Sequence, residues 1–135
     1  MEKKVLTLSV KKEWFGKIVS GEKKEEYREI KHYWIARLIS VIKKENPFAL
    51  DRLLTGKKVN LELMGNLNKL DMLRYCIDEG YYEFKPFTHV LFINGYGNDK
   101  PRVEKEIEWI DIDRPRKGWC PDEFLGKEYF VIRFK

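Results

Sequence analysis

The sequence predicts an α+β fold in which about five or six strands form a small curved sheet or barrel, with helices near the front and middle of the chain. Three observations lead there. Short β-prone runs recur from Val5 to Phe134, apolar residues at helical spacing interrupt them in a few places, and strands and helices do not alternate strictly, which disfavours a doubly wound parallel sheet. The 135 residues suit a single domain, 1–135, and 43% apolar content with 14% aromatics supplies a core that needs no covalent staple. Charged residues reach 36%, yet that apolar content argues against disorder.

The first strand is Val5-Leu6-Thr7-Leu8-Ser9-Val10. Over residues 13–20, Trp14, Phe15, Ile18 and Val19 mark one helical face, and Gly21 stands where helices end in the left-handed conformation. Residues 24–28 read as a short strand with Lys24, Glu26 and Arg28 on one face and Glu25 and Tyr27 on the other. A second helix is expected over 32–44, on a stripe of Trp34, Leu38, Val41 and Ile42 widened by Ile35 and Ile39; Pro47 limits it.

Beyond it, 49–54 suggests a helical turn or two, 58–63 alternates like a half-buried strand, and 70–79 reads as a helix stopped by Gly80. Thr88-His89-Val90-Leu91-Phe92-Ile93 is nearly continuous in apolar residues, as a central strand is. Residues 94–99 carry a concentrated turn signal. A long strand follows over 103–112, placing Val103, Lys105, Ile107 and Trp109 opposite Glu104, Glu106, Glu108 and Ile110, with a slip or bulge near its end. Residues 115–118 break it, and 128–134 form the closing strand.

Charge is unevenly placed. Residues 1–58 hold 15 Lys and Arg against 8 Asp and Glu, and the rest hold 12 against 14, so one half is basic enough to attract a polyanion. Cys76 and Cys120 stand far apart with no CxxC, which fits reduced thiols in a cytoplasmic protein. Residues 1–5 lead into no apolar run of signal-peptide length, and no stretch approaches the roughly 18 apolar residues of a membrane span. His32 and His89 have no Cys or carboxylate at metal-ligand spacing, so neither a metal nor a cofactor is expected. There is no P-loop and no GxSxG elbow, and Lys100 occupies the third glycine position after Gly95 and Gly97, which removes a dinucleotide fingerprint.

The distinctive segment is Gly21-Glu22-Lys23-Lys24-Glu25-Glu26-Tyr27-Arg28, directly after the aromatic helix. Glu26 and Arg28 share a strand face and Lys23 projects from the preceding turn, giving a carboxylate beside two cations that orients a polar base or pairs with phosphate. Lys24 adds a further phosphate contact. Tyr27, Tyr33 and Tyr96 are stacking candidates, with Tyr96 in its glycine-flanked turn best placed at a cleft rim, and Asn94 on the same turn is a candidate for reading a base edge. Trp119 and Cys120 lie in a Gly-Trp-Cys-Pro turn expected to cap the barrel; a catalytic thiol there lacks an evident base.

Trp14-Phe15 with Ile18, Ser20-Gly21, and the spaced Gly21, Lys23, Glu26 and Arg28 together resemble the signature of the ASCH domain family of the PUA-like β-barrels. Tyr33-Trp34 and Arg37-Leu38 add to the likeness, as do Phe92-Ile93-Asn94-Gly95-Tyr96 and Tyr129-Phe130-Val131-Ile132-Arg133-Phe134, which are similar to segments of the small bacterial and phage-borne members. The resemblance covers 5–44 and 87–134, leaving 45–86 as a family-variable insertion. It implies a β-barrel with a cleft beside the first helix and a partner that is RNA or a nucleotide. Some small members resemble enzymes that deacetylate N4-acetylcytidine; Lys23 matches their catalytic lysine, while Glu26 occupies the position of their threonine. The expected function is therefore RNA or nucleotide binding through Lys23, Lys24, Glu26, Arg28, Tyr33, Asn94 and Tyr96. One alternative is a hydrolase of N4-acetylcytidine-like nucleosides or RNA, with Glu26 as general base and Lys23 as polarising cation. The other is a protein-interaction module that uses the insertion, for a partner the residues do not identify.

Overall fold

The alternation of Leu6, Leu8 and Val10 with the more exposed Val5, Thr7 and Ser9 sets the first strand with one face in the core. The computed structural model describes residues 2–42, 69–97 and 99–135. In chain order the elements are β1 (Val5–Val10), α1 (Lys12–Ser20), β2 (Glu25–Arg28), α2 (His32–Leu38), β3 (Ile39–Val41), α3 (Lys69–Asp78), β4 (Tyr82–Phe84), β5 (His89–Asn94), β6 (Arg102–Asp113), a 3-10 turn (Asp122–Phe124) and β7 (Tyr129–Phe134). The chain divides into two compact units, one of Met1–Arg28 with Pro86–Lys135 and the other of Glu29–Lys85.

The first unit holds a five-stranded sheet ordered β1-β5-β6-β7-β2, parallel between β1 and β5 and antiparallel elsewhere. The fold is thus α+β with a mixed sheet. Its edges are β1 and β2, and among the described residues no sheet closes into a barrel. The core of this unit joins Leu6 and Leu8 to Ile18, Val90, Phe92, Phe130, Ile132 and Phe134, with the Phe92 and Phe134 rings 4.9 Å apart. Strand β7 is buried on both faces, because Tyr129 and Val131 point away from that core into a smaller cluster with Tyr27 and Cys120.

Strand β6 differs from its expected pattern in phase. Ile107 pairs with Phe134 and Trp109 with Arg133, so Glu108 is an extra residue bulged out of the ladder. Before the bulge Val103, Lys105 and Ile107 face inward; after it Ile110 and Ile112 do, and Trp109 turns out to solvent. A bulge was expected near the strand's end. It lies in the middle and reverses the faces assigned to Trp109 and Ile110.

In α1, Ile18 is buried, Trp14 and Phe15 are half-buried and Val19 is exposed, so the buried stripe is narrower than the spacing suggests. Gly21 takes φ 84° at the helix end, the left-handed conformation that a side chain disfavours.

In the second unit, α2 stops at Leu38 instead of continuing to residue 44. Ile39, Ser40 and Val41 pair with Phe84, Glu83 and Tyr82 as a two-stranded ladder. The apolar residues 39, 41 and 42 satisfy a helical period, but β-branched side chains also suit a strand, and the partner strand decided between them. Helix α3 buries Met72, Leu73 and Cys76, and ends with Gly80 N–H on the Ile77 carbonyl and Tyr81 N–H on the Cys76 carbonyl, a Schellman stop. The expected elements at 49–54 and 58–63 lie outside the described residues. Among the described residues no helix is long and apolar enough to cross a membrane.

Candidate functional site

Strand β2 carries four residues whose side chains alternate across the sheet edge. Glu26 and Arg28 stand opposite Ile132 and Phe130 of β7, on the side of the main core, while Glu25 and Tyr27 stand opposite Arg133 and Val131, on the side of the smaller cluster. The turn before β2 is set by Gly21 and by the Lys23 amide, which donates to the Lys17 carbonyl at 3.0 Å. That turn delivers the Lys23 side chain inward, and it is 1% exposed.

The Lys23 ammonium donates to the Trp119 carbonyl, lies 3.3 Å from Glu26 Oε1, and packs against the faces of Trp14 and Tyr27 at 5.1 and 4.9 Å. The other Glu26 oxygen, Oε2, accepts from Arg28 Nη2 at 2.8 Å. The same Arg28 nitrogen donates to the Ser9 carbonyl on β1 at 3.0 Å, so this side chain spans from one sheet edge to the other. Burial costs each ion several kcal/mol unless it is paired and hydrogen-bonded, and here one carboxylate is bracketed by two cations. Desolvation pulls the Lys23 ammonium below its ordinary value, opposed by the charge of Glu26 and its hydrogen bond.

The cluster opens onto a hollow of about 350 Å³ between the two sheet edges, within the size of ligand pockets. Ser9, Val10 and Lys11 form one side, Glu26 and Arg28 the other, and Trp14 comes from α1. The segment from Trp119 to Phe124 makes a further wall, and Tyr96 stands at the mouth, 84% exposed. Gly95 and Gly97, at φ 95° and 110°, shape the turn that presents Tyr96. Glu26 and Arg28 are the charged groups of β2 that meet the space, and Lys23 lies beneath them.

Of the residues singled out from sequence as ligand contacts, Lys23, Glu26, Arg28 and Tyr96 come together here, and Tyr27 also lines the hollow, buried, with its ring against the Lys23 ammonium. Lys24 projects to solvent, and its carbonyl accepts from the Phe134 amide. Asn94 ends β5, and its amide closes the turn on the Pro101 carbonyl at 2.9 Å; neither Lys24 nor Asn94 lines the hollow. Tyr33 belongs to the second unit, exposed on α2 with its ring edge-on to Trp34 at 4.9 Å.

Sequence reasoning passed over the wall. Trp119 and Cys120 line the hollow together with Pro121, Glu123 and Phe124, where a cap on a barrel was expected. Burial pushes the Cys120 thiol up, opposed by the charge of Lys23. Glu25 was also overlooked, although it is 3% exposed and ion-paired with Arg133. The one available signal was strand alternation, which places Glu25 beside Tyr27 on an apolar face where an unpaired carboxylate cannot stand. Among the described residues no three His, Cys, Asp or Glu side chains gather as metal ligands. Compared with known protein families, with curated proteins and with solved structures, the chain matches none.

Proposed function

We propose that the hollow binds a nucleotide or a short stretch of RNA, with Arg28 as the phosphate or base-edge donor, Glu26 as the acceptor that selects a base, and Tyr96 as a stacking surface. The observation that carries this reading is the Lys23–Glu26–Arg28 cluster, buried at Lys23 and Glu26 and part-exposed at Arg28, at the base of an open, aromatic-rimmed hollow. Each carboxylate oxygen has more than one acceptor position, so Glu26 keeps capacity for a ligand N–H after its two cations are served. The basic first half of the chain is also consistent with a polyanionic ligand. The resemblance of Gly21, Lys23, Glu26 and Arg28 to the ASCH signature points the same way, and the Arg28 bridge to Ser9 supports a sheet curled toward a small barrel.

Binding ranks ahead of hydrolysis for a geometric reason. The Lys23 ammonium is already engaged by Glu26, by the Trp119 carbonyl and by the faces of Trp14 and Tyr27, so polarising a substrate carbonyl would compete with these contacts.

Fluorescence anisotropy tests the proposal with a labelled single-stranded RNA of about 12 nucleotides and with free nucleoside monophosphates as competitors. The RNA affinity is expected to fall steeply between about 50 and 200 mM salt, and Arg28→Ala to weaken it by about ten-fold or more. An affinity indifferent to salt and to Arg28, or no binding of any of these probes, sinks the reading. Turnover of N4-acetylcytidine by wild type but not by Glu26→Gln would move the assignment to the hydrolase.

A further inference from the structure

We infer that Glu25 is a positioning residue for the hollow: from the opposite face of β2 it holds, through Tyr27 and Arg116, the segment whose Trp119 and Cys120 form the wall. The inference rests on the hollow being a ligand site, but its structural half is measurable with no ligand present.

Glu25 is 3% exposed, and both of its oxygens are engaged. Oε1 accepts from the Tyr27 hydroxyl at 2.8 Å, and Oε2 lies 3.2 Å from Arg133 Nη1 and 3.5 Å from Arg116 Nε. A carboxylate only accepts, so the Tyr27 hydroxyl must donate to it. That orients the hydroxyl oxygen toward the second contact it makes, the Arg116 backbone N–H at 3.1 Å. Burial, and after it the bond to Glu25, keep the Tyr27 hydroxyl protonated and therefore a donor.

The guanidiniums of Arg116 and Arg133 both lie over the Trp119 ring, at 5.6 and 5.5 Å. Two cations converging on one ring repel each other, and Glu25 is the anion set against both. Trp119 held in this way presents its carbonyl to the Lys23 ammonium and donates its indole N–H to the Glu22 carbonyl at 2.7 Å. The Lys17 ammonium adds a bond to the Gly118 carbonyl at 3.2 Å. A line of contacts thus runs from Glu25 through Tyr27 and Arg116 to Trp119, and from there to Lys23 and Glu26. The back face of β2 sets the geometry of the front.

A purely structural role for Tyr27 would be to fill the cluster with Cys120, Tyr129 and Val131, a task a phenylalanine performs equally well. Tyr27→Phe therefore separates the relay from the packing. Glu25→Gln keeps an acceptor for the hydroxyl and removes the charge between the two arginines. Both variants are made in the full chain and compared with wild type by amide hydrogen exchange, thermal unfolding and binding of the same RNA of about 12 nucleotides.

In Tyr27→Phe the Arg116 amide and the 115–121 segment are expected to exchange about ten-fold faster or more. The β6 and β7 amides change less than this segment, and the melting temperature falls by a few degrees at most, as expected for one lost hydrogen bond to a buried carboxylate. RNA affinity falls by about ten-fold although Lys23, Glu26 and Arg28 are all retained. Glu25→Gln is expected to accelerate the same segment by less. Unchanged exchange of 115–121 in both variants overturns the inference, as does acceleration spread evenly over β6 and β7. If wild type binds neither RNA nor nucleotide, the binding proposal fails on its own, while the exchange pattern still decides whether Glu25 holds the wall.

Discussion

In β2 the two glutamates are 3% and 9% exposed, whereas in β6 the glutamates at 104, 106 and 108 all face solvent. As lines of sequence the two strands look alike, since each mixes carboxylates with cations and a few apolar residues. What separates them is the number of cations within reach. Glu26 has Lys23 and Arg28, and Glu25 has Arg116 and Arg133, whereas Glu104 has one exposed lysine, Lys3, at 2.7 Å. A buried carboxylate persists only where cations and hydrogen-bond donors replace water. Dense charge on a strand thus marks either a solvated face or a constructed site, and the surroundings decide which.

That contrast is tested most severely at Lys23. Lys23→Met removes the cation under Glu26 and leaves the Trp119 carbonyl without its donor, so chemical denaturation should show a loss of about 3–5 kcal/mol. A loss below about 1 kcal/mol would place β2 in the same class as an exposed pair and end the comparison.

Alkaline pH gives a smaller effect of definite sign. Burial lowers the Lys23 value in the folded chain, so between that value and the ordinary lysine value of about 10.4 the unfolded chain binds the extra proton. Stability therefore gains with pH in that window, by at most about 1.4 kcal/mol per pH unit. Cys76 works in the opposite direction: burial pushes its thiol up to about 11, so the folded chain keeps a proton that the unfolded chain releases. Subtracting the stability profile of Lys23→Met from that of wild type isolates the lysine, and a difference that declines with pH contradicts the burial argument.

The smallest effect belongs to β6. Both side chains of the Lys3–Glu104 pair are exposed, so Glu104→Ala should change stability by no more than about 0.5 kcal/mol. The change should shrink further in high salt. A cost comparable to that of Lys23→Met would mean that the sheet's charges are coupled as one network.

Much of the framework was legible because local chemistry repeats with a period. The alternation of Leu6, Leu8 and Val10, the apolar run through Val90 and Phe92, and the left-handed glycines 21 and 80 place β1, β5 and the ends of α1 and α3 close to where they occur. The convergence of Lys23, Glu26 and Arg28 was equally readable, since a strand puts positions 26 and 28 on one face. Other features were not. Residues 39–41 fit a helix and a strand alike, and only Tyr82–Phe84 settled the choice. The bulge at Glu108 was legible as a break in alternation but not in its position, because a phase change shows only in the residues that follow it.

By its own chemistry the sequence determined most of the strands and helices and which three charged residues of the 23–28 segment converge, because both follow from side-chain period and turn conformation over a few residues. Only tertiary structure decided that Lys23 and Glu26 are buried beside Arg28, that Trp119 walls their hollow, and that Glu25 is tied to Arg116 and Arg133. Trp119, Arg116 and Arg133 lie about 90 or more residues along the chain from the residues of the 23–28 segment they meet. Desolvation and pairing depend on what packs beside a residue, and no local pattern carries that information.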